Sequence, residues 1–133
     1  MVNNRVKGHK AENELANKLK KLGYQVQVAQ RTTVFTGKFY VSKDNDFFNL
    51  FDLLAINNNT IELIQVKSNA SNVYTVMPKI KNFADELDNN NMTYVVALRV
   101  ARKGWVNWVY HNYDWTKQFF DLKLEPCSPF VYS

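Results

Sequence analysis

Two runs of mostly apolar residues, FDLLAI at 51–56 and IELIQV at 61–66 with Lys67 directly after it, flank the turn Asn57-Asn58-Asn59. Runs of this length joined by an Asn-rich turn predict a β-hairpin whose strands lie in the middle of a sheet. Each run carries one anomaly. Asp52 is a carboxylate inside an otherwise apolar strand, where an ionised group costs several kcal/mol unless it is paired or binds a cation. Gln65 and Lys67 repeat the anomaly at the end of the next strand, and being two apart they project to one face. Pairing across the turn can bring Asp52 to that face, so that three polar groups converge at one end of an apolar hairpin. Two readings stand side by side at this point. Asp52 and Lys67 form a structural salt bridge with Gln65 bonded to backbone, or the three build a reactive site.

Working outward, Ala11, Leu15, Leu19 and Leu22 recur at helical spacing and Gly23 follows as a stop, which predicts an amphipathic helix over 10–22. Residues 24–29 alternate Val26 and Val28 with Gln25 and Gln27, the period of a half-buried strand. The stretch 30–49 is polar with interleaved aromatics and is expected to hold a short strand near 38–41 and otherwise loops. Downstream, Pro78 is expected to open a helix with Ile80, Phe83, Ala84 and Leu87 on its apolar face, ended by 88–91. Strands are expected over 93–100 and 105–111, around the basic turn that holds Arg99, Arg102 and Lys103. The tail 116–133 has no firm assignment. The expected order is roughly α-β-β-β-α-β-β, an α/β fold with a central mixed sheet flanked by helices.

The first helix holds a further carboxylate on its core side. At ~100° per residue, Glu12 lies roughly 60° from the centre of the apolar stripe and Glu14 about 100° away. Glu12 is therefore expected to be half-buried. Glu14 faces Lys18 at i+4 and is expected on the surface, in an exposed ion pair.

Bulk composition narrows the class. A chain of 133 residues has the size of one domain, and with 46% hydrophobic residues it can bury a core. Seventeen Lys and Arg against twelve Asp and Glu leave +5, which suits a polyanionic partner. The single cysteine, Cys127, excludes an intramolecular disulfide and a thiolate-rich zinc site. The start MVNNRVKGHK has no apolar leader, and no run approaches the ~18 apolar residues that span a bilayer, so a cytoplasmic protein without membrane contact is expected. His9 and His111 have no Cys or His partner nearby in sequence. Trp105, Trp108 and Trp115 are expected to build the core or a dimer face.

The helix with Glu12, the strand with Asp52, the strand with Gln65-Val66-Lys67 and the helix that follows resemble, in that order, the PD-(D/E)XK nuclease superfamily. Gly8-His9-Lys10-Ala11-Glu12-Asn13-Glu14-Leu15 is similar to the start of archaeal-type Holliday junction resolvases, where a glycine precedes a Glu-containing first helix. Phe51-Asp52-Leu53-Leu54-Ala55-Ile56 and Ile64-Gln65-Val66-Lys67-Ser68 continue that similarity, which covers roughly residues 5 to 90. The resemblance implies a restriction-endonuclease-like fold filling 1–133 and a metal-dependent endodeoxyribonuclease, with junction resolution as its narrower form. It implies Glu12, Asp52, Gln65 and Lys67 as catalytic residues, and Glu12, Asp52, Gln65 and the Val66 carbonyl as ligands of Mg2+ or Mn2+. Lys67 would orient or deprotonate the attacking water.

One departure stands out. The family's acidic residue two before the lysine is here Gln65, which offers a carbonyl oxygen without charge. Glu62 is an unsuitable substitute because its odd separation points it to the opposite face, whereas Asp46 is a candidate auxiliary ligand. DNA, branched in the narrower form, would be held by Arg5, Lys7, Lys10, Arg31, Lys38 and Lys43. Phe35, Phe39 and Tyr40 are expected to pack in the core more than to stack on bases. A resolvase cuts two strands symmetrically and so calls for a homodimer. Two other readings share the residues, namely a restriction- or repair-type nuclease acting on duplex or single-stranded ends, and a non-catalytic DNA-binding module in which Gln65 marks decay.

Overall fold

A computed structural model of the chain describes residues 4–58, 60–89, 91–100 and 104–120, and leaves aside the side chains of residues 4–9, 31, 34, 41–44, 119 and 120. Its elements run α1 (Asn4–Lys21), β1 (Gln25–Val28), β2 (Gln30–Phe35), β3 (Tyr40–Asn45), β4 (Leu53–Ile56), β5 (Ile61–Lys67), α2 (Ala70–Leu87), β6 (Met92–Val100), β7 (Gly104–His111) and β8 (Asp114–Phe120). Six strands form one sheet in the order β1-β4-β5-β6-β7-β8, while β2 and β3 pair by themselves. Every pairing in the large sheet is antiparallel except β5 with β6, where α2 makes the crossover that a parallel pair requires.

The predicted central hairpin is present, with Leu53 opposite Ile64 and Ile56 opposite Ile61. Its turn is fixed by Asn57, whose backbone N–H donates to the Thr60 carbonyl at 3.1 Å and whose Oδ1 accepts from the Thr60 N–H at 2.9 Å. Both faces of the hairpin are buried, which is why its strands read as continuous apolar runs. On one face Ala11, Leu15, Ala16 and Leu19 of α1 meet Leu53, Ile64, Val66 and Val95. On the other, Val73, Val76, Ile80 and Ala84 of α2 meet Leu63, Tyr94, Val96 and Trp108. Among the described residues no helix is long and apolar enough to cross a membrane.

Three local expectations are corrected, and part of the tail that had no assignment is placed. The first helix starts at Asn4 instead of residue 10, so Gly8 lies inside α1 and does not precede it. The second helix starts at Ala70, and Pro78 lies within it. Val73 and Val76 extend the apolar stripe of Ile80 and Ala84 backwards at helical spacing, and Asn69 caps the helix, its Oδ1 accepting from the Ser71 N–H at 3.0 Å. The stretch after residue 30 is mainly the β2–β3 hairpin, where β-branched and aromatic residues flank a turn with Gly37 at φ 97°. The first part of the tail forms β8 at the edge of the sheet. Cys127 lies outside the described residues.

Candidate active site

Asp52 sits one residue before β4, and its backbone continues the ladder. Its N–H donates to the Ile64 carbonyl at 2.9 Å, and its own carbonyl accepts from the Ala29 N–H at 2.8 Å. The side chain then takes the place of the next strand residue, because Oδ2 accepts from the Val66 N–H at 2.8 Å. That bond uses a β5 donor beyond the beginning of β4, and it fixes the carboxylate against the end of the hairpin. Continuing the Leu53–Ile64 register by one residue sets Asp52 opposite Gln65. Both are buried, at 7% exposure each.

Alternation along β5 sorts the remaining groups. Ile64 and Val66 pack with α1 and Leu63 packs with α2, so Gln65 and Lys67 share the α2 face, as their spacing predicts. Lys67 is half-buried at the last position of β5. Its positive charge reaches Asp52, as does the carboxyl of Asp46, which is hydrogen-bonded to it. Burial pushes the Asp52 carboxyl up to about 7, the Val66 N–H opposes that rise, the Asp46 charge adds to it and the Lys67 charge opposes it. Two acidic side chains in contact at the end of a buried hairpin, with an amide and an amine beside them, form a cluster that a hard cation would relieve. Among the described residues no group of three or more His, Cys, Asp or Glu side chains gathers in one place. A cation here would therefore rely on Asp46, Asp52, the Gln65 amide oxygen and backbone carbonyls, a donor set of oxygens that suits magnesium or manganese.

Glu12 is half-buried on α1, between the core residues Ala11, Leu15 and Ala16. Its helix covers the sheet face opposite Gln65, and the segment around Lys10, Ala11 and Glu14 borders Ser68, the residue after Lys67. Glu14 departs from expectation. It is a half-buried residue whose Oε2 accepts from Arg99 Nε at 3.0 Å, a contact made across 85 residues of sequence. The helical phase of α1 alone could not disclose a partner supplied by β6.

Of the candidate DNA contacts, Lys10 and Lys38 are exposed. Arg5, Lys7, Arg31 and Lys43 lie on α1, β2 and β3, and their side chains fall outside the description, as does that of His9. Phe35, Phe39 and Tyr40 are 58%, 62% and 72% exposed, which corrects the expectation that they pack in the core. The hairpin that carries them stands outside the main sheet. Trp105 and Trp108 are core residues on opposite faces of β7, and Trp115 packs against the α2-side cluster. His111 Nδ1 lies 3.3 Å from Thr93 Oγ1 and from the Met92 carbonyl.

Glu62 faces away from Gln65 and Lys67, as its odd separation from them predicts, and its burial there was not expected. It is fully buried on the α1 face, with Oε1 accepting from Tyr24 at 3.5 Å and Thr60 at 3.3 Å, while Oε2 has no partner among the described residues. Burial raises its carboxyl to about 9. The signal was the one that marked Asp52, an acid inside an apolar strand.

No protein-family model matches the chain, and no curated protein sequence matches it. Among solved structures it is similar to Archaeoglobus fulgidus Hjc, a Holliday junction resolvase from an archaeal hyperthermophile. The identity is 20%, the likeness covers 87% of this chain and 89% of that one, and the TM-score is 0.50. The six-stranded mixed sheet with its two helices is thus a restriction-endonuclease-like α/β fold.

Proposed function

We propose that this protein is a metal-dependent endodeoxyribonuclease acting on branched DNA of the Holliday junction type. The observation that carries the reading is the convergence of Asp52, its partner Asp46, Gln65 and Lys67 at the end of β5. Its support from outside the chain is the likeness in fold to a Holliday junction resolvase.

The donor set fits a hard divalent cation, since every group that could hold one presents oxygen and Asp52 is already fixed by Val66. When bound, such a cation neutralises phosphate charge and acidifies water. The chain's own residues supply the rest. Asp46 and Asp52 hold the cation, and Gln65 adds a neutral oxygen. Lys67 orients the attacking water and stabilises charge on the phosphate oxygens. The attacking water releases a proton to bulk water as its oxygen bonds to phosphorus, the bond to the leaving oxygen breaks, and that oxygen takes up a proton from bulk water. Glu12 does not gather with Asp46 and Asp52 among the described residues, so it would take part through a water from the α1 side. The alternative is a non-catalytic DNA-binding module, in which the uncharged Gln65 stands where the resembled family has an acid, and one experiment separates the two.

Branched, duplex and single-stranded DNA are incubated with the protein, with and without magnesium or manganese. Cleavage of branched DNA only with the cation is expected. Lys67→Ala and Asp52→Asn are each expected to lower the cleavage rate by at least about a hundredfold while DNA affinity changes less than about threefold. Wild-type rates in Lys67→Ala would remove that residue from the mechanism, and binding without cleavage by the wild type on every substrate would establish the non-catalytic module.

A further inference from the structure

Beside the proposed site, a cavity of about 420 Å3 opens between α1 and the end of β6, lined among others by Lys10, Ala11, Glu14, Ser68, Leu98 and Arg99. Ser68 follows Lys67 directly, so the cavity adjoins the place where a scissile phosphate would lie. Its volume falls in the range of small-ligand sites, and Ala11 and Leu98 give it an apolar floor.

Arg99 is built into the wall. Its Nε donates to Glu14 at 3.0 Å and its Nη1 to the Val100 carbonyl at 2.6 Å, and only 23% of its side chain is exposed. Arginine has five N–H donors, and these bonds leave the Nη2 amino group with no acceptor among the described residues. Lys10 stands exposed at the rim. Two cations against one carboxylate leave the cavity net positive. A purely structural ion pair would need neither the neighbouring lysine nor a cavity in front of the guanidinium.

We propose that this cavity seats one nucleotide of the DNA strand next to the scissile phosphate. Arg99 Nη2 and Lys10 hold its phosphodiester, and the apolar floor takes its sugar and base. Glu14 is a positioning residue that aims Arg99. The inference rests on the nuclease reading only for the identity of the neighbouring phosphate, since the seat itself is a binding site.

The test is therefore a binding measurement without divalent cations, by fluorescence anisotropy of a labelled single-stranded oligonucleotide in EDTA across a range of salt. Arg99→Ala is expected to weaken binding about tenfold and to lower the salt slope by about 0.7, the loss of one phosphate contact on a single strand. Lys20→Ala, an equal loss of charge on the exposed far end of α1, is expected to change affinity less than about twofold. Arg99→Lys keeps the charge but loses the fork and covers the case in which the alanine variant does not fold; it is expected to cost about threefold.

Glu14 gives a test of sign. Removing a negative charge should tighten DNA binding, but losing the aim of Arg99 should loosen it. Glu14→Ala is expected to loosen binding about threefold, with Glu14→Gln, which keeps an acceptor for Nε, restoring most of the loss. Tighter binding by Glu14→Ala, or equal affinities for Arg99→Ala and Lys20→Ala, would overturn the seat. So would binding of a deoxynucleoside monophosphate as tight as that of the oligonucleotide, because a strand would then not be the ligand. If the wild type never cleaves but the Arg99 and Glu14 effects appear, the seat stands and the nuclease reading falls.

Discussion

Two carboxyls in one hairpin are raised by burial, yet they are placed for different ends. Asp52 is pinned by a backbone N–H and set beside Asp46 and Lys67, at the end of the central hairpin. Glu62 lies on the opposite face, closed over by Tyr24 and Thr60, with one oxygen unpaired among the described residues. Its carboxyl rises from 4.5 to about 9, so at neutral pH the folded chain holds a proton there that the unfolded chain has released. For a raised acid, the stabilisation is complete below the unfolded value and is lost as pH climbs to the folded one. Asp52, raised to about 7, acts in the same direction over a lower range. Thermal stability should therefore decline between pH 5 and pH 9, and the part between pH 7 and pH 9 should belong to Glu62. Glu62→Gln, an isostere that never ionises and whose neighbours can accept its N–H groups, is expected to be more stable than wild type at pH 9 and to flatten that part of the curve. Melting temperatures measured across the range decide it, and parallel curves for the two proteins would place the titration elsewhere.

Among the elements, α2 carries an internal conflict that its cap and stripe override. Asn69 and the residues Val73, Val76, Ile80 and Ala84 define one continuous helix, while Pro78 in its interior can donate no hydrogen bond to the preceding turn. A proline in a helix interior is about 3 kcal/mol less favourable than alanine, an amount offset in part by the stiffer unfolded chain. Pro78 is exposed, so replacing it removes no core contact. Pro78→Ala is expected to raise stability by about 1–2 kcal/mol in urea unfolding; a loss of stability would mean that the helix relies on the stiffness of the proline. The same element shows where sequence reading reaches its limit. Periodicity placed Ile80 and Ala84 on the core face, but the start signal of a proline hid the earlier turns, because Val73 and Val76 are set among Asn, Tyr and Thr. The hairpin was legible except for its first two residues, since both its faces are buried and Asn57 closes its turn, whereas Phe51 bridges to Phe47 and the strand begins at Leu53. Gln65 and Lys67 were placed on one face by parity alone. The Glu14–Arg99 pair was not legible, because it joins elements 85 residues apart. The exposed aromatics of β2 and β3 were misplaced for the opposite reason, since composition does not tell a detached hairpin from a packed one.

At the scale of the molecule, the proposed site exists only in the folded chain. Asp46 comes from the segment after β3 and Asp52 from the start of β4. Gln65 and Lys67 come from β5, which is held in the middle of the sheet between β4 and β6. An unfolded chain offers these oxygens to a cation one at a time, so whatever free energy the cation gains on binding is added to folding. A cation at ten times its dissociation constant contributes about 1.4 kcal/mol by mass action, equivalent to a rise of about 5 °C for a domain of this size. Manganese or magnesium is therefore expected to raise the melting temperature, and EDTA to reverse the rise. Asp52→Asn is expected to abolish the rise even if it stabilises the cation-free protein by relieving contact with Asp46. Asp46→Asn should weaken the response, since Asp52 keeps its charge and its bond from Val66. Differential scanning fluorimetry of the three proteins over a cation titration is sufficient, with no DNA and no catalysis involved. An equal rise in wild type and Asp52→Asn would show that the cation binds elsewhere on the chain, and the carboxylate pair would then have to be explained as a shared proton.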